Sequence, residues 1–141
     1  MDKITLPLSS TAKIAVVGLG YVGLPLAMAF TKKFNVLGFD VSMKRINDLK
    51  RGDDLTNEFS ASELQLSNIS FSSNPNDISG ADFYIIAVPT PVNEDLVPDM
   101  SMLISASKLV GQHLTEGDFV IYESTVYPGA TEEVCLPVLE K

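Results

Sequence analysis

Three glycines and one aspartate carry the first chemical signal in this chain. Gly18, Gly20 and Gly23 form a G-x-G-x-x-G pattern inside GLGYVG, and Asp40 follows 22 positions after Gly18. Glycine at the first position permits a tight turn. At the second it lets a backbone approach a pyrophosphate without a Cβ in the way, and at the third it lets a helix lie close on a strand. The N–H groups and positive dipole end of such a helix then face the phosphates. An acid at the end of the next strand accepts hydrogen bonds from ribose hydroxyls and repels a 2′-phosphate, so the pattern favours NAD over NADP.

Glycines in this pattern recur by chance, so the elements around them decide its weight. Ile14 to Val17 is an apolar, β-branched run suited to a strand buried on both faces. A helix is expected over Tyr21 to Lys33, with Pro25 early enough to cost little, and a second strand over Phe34 to Phe39. Strand, glycine turn, helix, strand and acid agree on a dinucleotide-binding βαβ unit. A secretory leader fits less well. Ala15 to Phe30 is uncharged and Ala27-Met28-Ala29 imitates a cleavage site, but three glycines and Pro25 interrupt the run, and it is short for a membrane span.

Two further stretches place hydroxyls where ligands bind in open α/β sheets, beyond the carboxyl ends of strands. Asp82 to Val88 reads as a buried strand running into Pro89-Thr90-Pro91, and Phe119 to Tyr122 as a strand leading to Glu123-Ser124-Thr125-Val126-Tyr127-Pro128-Gly129. Spacing leaves Thr90 open between a ligand-facing hydroxyl and a residue in a chain-stopping turn. Arg45 lies in the first turn of a helix capped by Ser42 and ended by Gly52. A basic side chain there suits a pyrophosphate or the face of an adenine, while composition alone favours a solvated helix arginine.

The rest of the chain supplies scaffold. Residues 1–12 read as a lead-in, 53–59 as an acidic loop, and Ser60-Ala61-Ser62-Glu63 as a capping box for a helix through Leu66. Ile69 to Ser72 is expected as a third strand, Asn74 to Gly80 as a turn with one helical turn, and Asn93 to Pro98 as an excursion. Asp99 is expected to cap a helix to about Leu114, with Leu103, Ala106, Val110 and Leu114 inward. Met28, Met100 and Met102 read as core filler. His113 reads as a surface residue at a helix end rather than a catalyst. A last helix from Ala130 carries Cys135 as a buried small apolar residue.

Composition bounds the function. The 141 residues, 45% hydrophobic and 20% charged, suit one globular domain. A net charge of −8 argues against nucleic acid and anionic membrane surfaces as partners. One cysteine and one histidine exclude an internal disulfide and a His/Cys metal cluster, and suit a cytoplasmic setting. The expected fold is a doubly wound α/β domain with a mostly parallel sheet, helices on both faces and strand order 3-2-1-4-5.

Taken together, Gly18-Leu19-Gly20-Tyr21-Val22-Gly23-Leu24-Pro25, Asp40 with Arg45, Val88-Pro89-Thr90-Pro91 and Ser124-Thr125-Val126-Tyr127-Pro128-Gly129 resemble the UDP-glucose/GDP-mannose dehydrogenase family. The resemblance covers the chain from residue 13 onward. Tyr-Glu-Ser-Thr-Val-Tyr-Pro-Gly, followed by Thr131-Glu132-Glu133, looks most like the branch that oxidises UDP-N-acetylhexosamines, UDP-GlcNAc or UDP-GalNAc, to uronic acids for capsules and O-antigens. It implies NAD-dependent oxidation of the sugar C6 hydroxyl to a carboxylate in two hydride transfers. It further implies that Tyr21 and Val22 meet the pyrophosphate, Asp40 the adenosine ribose, and Arg45 the adenosine side. Thr90 and Thr125 would line the nicotinamide half, with Thr125 nearest the reaction, and Val88, Pro89 and Ser124 would also bind the cofactor.

One part of the family pattern is missing. Its nucleophilic cysteine, in a Gly-Gly-x-Cys segment, has no counterpart here, and neither do its substrate domain and dimerisation helix. The expectation is therefore an N-terminal NAD-binding domain over residues 13–141, cut from a longer enzyme that is a homo-oligomer when whole. It would bind the cofactor but not turn over alone. UDP-glucose and GDP-mannose remain alternative substrates. β-Hydroxyacid dehydrogenases share a similar cofactor domain, and a nucleotide-sensing regulatory module is the alternative of another class.

Overall fold

The computed structural model describes residues 11–141. Five strands form one sheet: β1 (Lys13–Val17), β2 (Asn35–Phe39), β3 (Ile69–Ser72), β4 (Phe83–Ile86) and β5 (Phe119–Tyr122). Their order is β3-β2-β1-β4-β5 and every pairing is parallel. In register, Val17 stands beside Phe39 on one side and Ile86 on the other. The carboxyl ends of the three central strands are therefore level, which sets the glycine turn and the proline loop side by side.

The period-2 alternation of strand side chains explains how one sheet serves two cores. Ile14, Val16, Val36, Phe83 and Ile85 face one way, against Leu24 and Ala27 of α1 (Gly23–Phe30), Ile46 and Leu49 of α2 (Met43–Arg51) and Leu64 of α3 (Ala61–Leu66). Ala15, Val17, Phe39, Tyr84 and Ile86 face the other way, against Leu103, Ala106 and Val110 of α4 (Ser101–Gly111) and Cys135. Each large aliphatic side chain so buried contributes ~1.5–3 kcal/mol relative to exposure. Cys135 is fully buried, as its setting suggested.

Local signals set most of the boundaries. Ser42 Oγ accepts from Arg45 N at the start of α2, and Gly52 ends it at φ 88°. Ser60 and Glu63 close a reciprocal capping box at α3. The crossover from β3 to β4 holds a single 3₁₀ turn, Pro75–Ile78.

Several expectations are corrected. The helix expected over 21–33 is shorter, because the glycine turn occupies its start and non-helical turns follow Phe30. The helix expected to reach Leu114 ends at Gly111, and Asp99 caps it from one position further out, its Oδ1 accepting Ser101 N at 2.9 Å. Met102 is half-exposed on the outer side of α4, so only Met28 and Met100 are core filler. The last helix opens as a π-helical turn, Thr131–Cys135, before α5 (Leu136–Leu139). Of the lead-in, residues 1–10 lie outside the described residues, while Ala12 is buried in the first core.

Candidate dinucleotide site

The carboxyl edge of the sheet is built outward from Leu19. Its side chain is fully buried and packs over Gly38 in β2, where an added Cβ would sit 3.1 Å from both Leu19 methyl carbons. Its N–H donates to Asp40 Oδ2 at 3.0 Å. Its carbonyl accepts from Arg45 Nε at 2.9 Å and Nη2 at 2.8 Å. One residue of the glycine turn is thus held at its side chain and at both of its backbone polar groups.

The three glycines divide their roles in a way the structure makes explicit. Gly18 has φ 96°, a region costly for residues with a Cβ, and a Cβ there would approach Ala87 O at 2.9 Å. A Cβ on Gly23 would lie 1.7 Å from Gly18 O, so α1 rests directly on the turn. Gly20 differs from both: a Cβ there meets nothing within 4 Å. Its freedom from a side chain keeps open the space in front of α1. Leu24 N donates to Gly20 O at 3.2 Å and Leu26 N to Val22 O at 3.3 Å, and Pro25 has no N–H. The backbone donors left for a ligand at this end are therefore those of the turn itself, Gly20 to Gly23. A diphosphate fits such a cradle by shape and by charge.

Asp40 reaches the cradle from the end of β2. Its Oδ1 accepts Ser42 N at 2.9 Å, so each oxygen holds one internal donor and keeps lone pairs for a ligand hydroxyl. Arg45 is not the solvated helix arginine that composition favoured. It is 8% exposed, with its fork spent on Leu19 O and on an ion pair to Asp54 Oδ1 at 2.9 Å. Its Nη1 is the buried side-chain atom left without a partner among the described residues.

Asp54 escaped the sequence reading, which saw only an acidic loop. Its side chain is inaccessible. It accepts from Thr56 N and Oγ1, Glu58 N and Phe59 N as well as from Arg45. Burial pushes this carboxyl up, but the bonds from Thr56, Arg45 and Phe59 outweigh burial and hold it below the ordinary carboxylate range. The available signal was an acid shortly after a helix carrying an inward arginine, but sequence spacing does not reveal that the two meet.

The second half of the site lies beyond β4 and β5. Ser124 Oγ donates to Val88 O at 2.6 Å, and Thr90 Oγ1 donates to Thr125 O. The two loops are therefore cross-linked by hydroxyl-to-carbonyl bonds running in opposite directions. Thr90 and Ser124 are half-buried, whereas Pro89 and the Thr125 side chain are exposed, as are Tyr21 and Val22 on the glycine turn. The excursion after Pro91 is a small hairpin closed by a Val92–Pro98 bridge. His113 lies past the end of α4, where its carbonyl accepts from the Tyr84 hydroxyl at 3.3 Å, away from these loops. Cys135 is buried beneath α4, against Tyr122 at the carboxyl end of β5.

Among the described residues no cluster of His, Cys, Asp or Glu is arranged to hold a metal ion. None of their helices is long and apolar enough to cross a membrane.

Comparison with known proteins agrees with this geometry. The chain is 55% identical over 130 residues to the UDP-N-acetyl-D-glucosamine 6-dehydrogenase of Pseudomonas aeruginosa, covering 92% of this chain and 31% of that protein. It is also 55% identical over 128 residues to Protein CapL of Staphylococcus aureus, covering 91% of this chain and 30% of CapL. Among solved structures, the UDP-D-ManNAc dehydrogenase of Pyrococcus horikoshii superposes with a TM-score of 0.83 at 34% identity, over 91% of this chain and 32% of that one. The chain thus spans about a third of the length of these relatives. The model of the UDP-glucose/GDP-mannose dehydrogenase family's NAD binding domain matches residues 12–141, and with the glycine cradle and Asp40 in place the chain belongs to that family.

Proposed function

We propose that the natural polypeptide is an NAD-dependent dehydrogenase that oxidises the C6 hydroxyl of a UDP-N-acetylhexosamine to a carboxylate, with this domain supplying the cofactor site. The observation that carries the reading is the placement of the Gly20 cradle, Asp40 and the Thr90/Thr125 loops along one edge of the sheet. The sugar class is supported by similarity. Identity is 52–55% to two UDP-N-acetyl-D-glucosamine 6-dehydrogenases, against 34–38% to five UDP-N-acetyl-D-mannosamine dehydrogenases. A cytoplasmic place in surface-polysaccharide synthesis suits such a substrate.

When bound, NAD supplies the hydride acceptor. This chain's residues bind and orient. Gly18, Gly20, Tyr21, Val22 and Gly23 present backbone to the pyrophosphate. Asp40 accepts the ribose hydroxyls with its spare lone pairs. Arg45 holds the turn from below through the Leu19 carbonyl, on the side assigned to the adenosine. Val88, Pro89, Thr90, Ser124 and Thr125 border the nicotinamide half. Thr90 and Ser124 have their hydroxyl protons committed to carbonyls, so toward a ligand they act as acceptors, which suits the N–H groups of a carboxamide. Thr125 is exposed and would lie nearest the reacting carbon. The thiol that would carry the aldehyde-to-acid step is not Cys135, which has no exposed surface.

Calorimetric titration with NAD and NADP tests the cofactor assignment; NADP binding as tightly as NAD would remove the role of Asp40. Assaying the natural polypeptide with UDP-GlcNAc, UDP-GalNAc and UDP-glucose tests the substrate, and a preference for UDP-glucose would overturn the N-acetylhexosamine reading.

A further inference from the structure

We infer that Asp54 is a positioning residue for the dinucleotide site, acting on it through Arg45 and the Leu19 peptide. The inference rests on the cofactor assignment above. Asp54 touches none of the residues proposed to meet NAD except Arg45. Yet it is the anion that the buried guanidinium faces, at 2.9 Å. Arg45 in turn spends Nε and Nη2 on a single carbonyl, that of Leu19, immediately before Gly20.

The arrangement makes chemical sense only as a relay. A guanidinium cannot be stripped of charge in a protein, and burying one is costly unless an anion and acceptors meet it. Asp54 meets it, and is itself made rigid by the Thr56, Glu58 and Phe59 donors of the following loop. With its partner fixed, the fork has one orientation, and the Leu19 carbonyl is held opposite the Asp40 carboxylate that takes the Leu19 N–H. The plane of the Leu19–Gly20 peptide, and so the direction of the Gly20 N–H, follows from where Asp54 stands. Without the anion, Arg45 has reason to turn toward Asp40 and occupy the lone pairs proposed for the ribose.

A double-mutant cycle on NAD affinity tests the relay, using calorimetry on the natural polypeptide. Asp54→Asn keeps the shape but drops the charge, and raises the Kd for NAD about tenfold, the loss expected for one charged hydrogen bond. Arg45→Lys cannot grip two acceptors and weakens binding similarly. The double variant binds no worse than Arg45→Lys alone, because Asp54 acts only through Arg45. Additive losses in the double variant overturn the inference, as does unchanged NAD affinity in Asp54→Asn.

Two more variants separate positioning from loop stability and stand if Asp54→Asn does not fold. Asp54→Glu, which keeps the charge, retains most of the affinity. Thr56→Val, which removes a hydroxyl donor but leaves the ion pair, lowers the melting temperature without changing the Kd. Loss of NAD affinity in Thr56→Val equal to that of Arg45→Lys overturns the relay in favour of general loop disorder. A parent protein that binds no NAD at all would instead remove the cofactor assignment.

Discussion

The two halves of the carboxyl edge are held by different means. On the β1–β2 side, the turn is fixed from beneath by the buried Leu19 side chain and the buried Arg45–Asp54 pair, with the half-buried Asp40 carboxylate beside them. On the β4–β5 side, the loops are joined at the surface by two neutral hydroxyl-to-carbonyl bonds. Charged, water-excluded bonds resist deformation more strongly than neutral, half-exposed ones. The first half is therefore the stiffer of the two, and the second the one that yields more readily.

Substitutions sharpen this contrast. The largest effect is expected from Gly23→Ala, whose Cβ would sit 1.7 Å from Gly18 O and must drive α1 off the turn. It should cost about 3 kcal/mol or more of stability in chemical denaturation, because backbone rather than a flexible side chain has to move. Gly20→Ala is the counterpart: its Cβ enters open space, so the melting temperature should stay within about 2 °C of the parent while NAD binding weakens about tenfold or more. Equal stability losses in the two variants would erase the division of labour between these glycines.

The β4–β5 side should respond more weakly. Ser124→Ala removes the bond to Val88 O and should cost about 0.5–1.5 kcal/mol, with Thr90→Val similar and Thr90→Ser close to the parent. If either loss matched that of Gly23→Ala, the loops would be as rigid as the cradle.

Acid tests the buried pair of the first half. The Asp54 carboxyl is held below the ordinary aspartate value of 3.8, so it stabilises the fold above that pH and loses this contribution as pH falls through the lower folded value. The stability gap between parent and Asp54→Asn, measured by denaturation at a series of pH values, should be constant near neutrality and close below about pH 4. A gap that widened toward low pH would contradict the carboxylate's role.

Much of this organisation was legible in the sequence, because the signals were local. Apolar runs of strand length, capping residues at Ser42 and Ser60, and Gly52 each act within a few positions, and all five strands and their order follow the expectation. The glycine pattern with Asp40 was equally readable, since a βαβ unit is a local object. Asp54 was not, because its importance comes from a contact across a loop that spacing does not encode. Nor was the inward turn of Arg45, since a charged residue in a helix's first turn is ordinarily solvated. The exposure of Met102 was misjudged for a different reason: α4 buries Leu103, Ala106 and Val110, and Met102 falls outside that stripe. What the hydroxyls of Thr90 and Ser124 bond to was likewise invisible, because it depends on how close two strand ends come in space.

The level register of the central strands also bears on how the chain comes to be folded. β1 can pair with β2 as soon as Phe39 is made, but its other edge has no partner until Phe83 to Ile86 emerge. At synthesis rates of roughly 5–20 residues per second, that edge of Lys13–Val17 stands open for several seconds on a nascent chain. Pairings this distant are slow to form, and an open apolar edge is a template for the wrong strand. Of the five strands described, the one at the centre of the finished sheet is thus the first to be synthesised and among the last to be fully paired, and yield from expression should depend on what shields it in between.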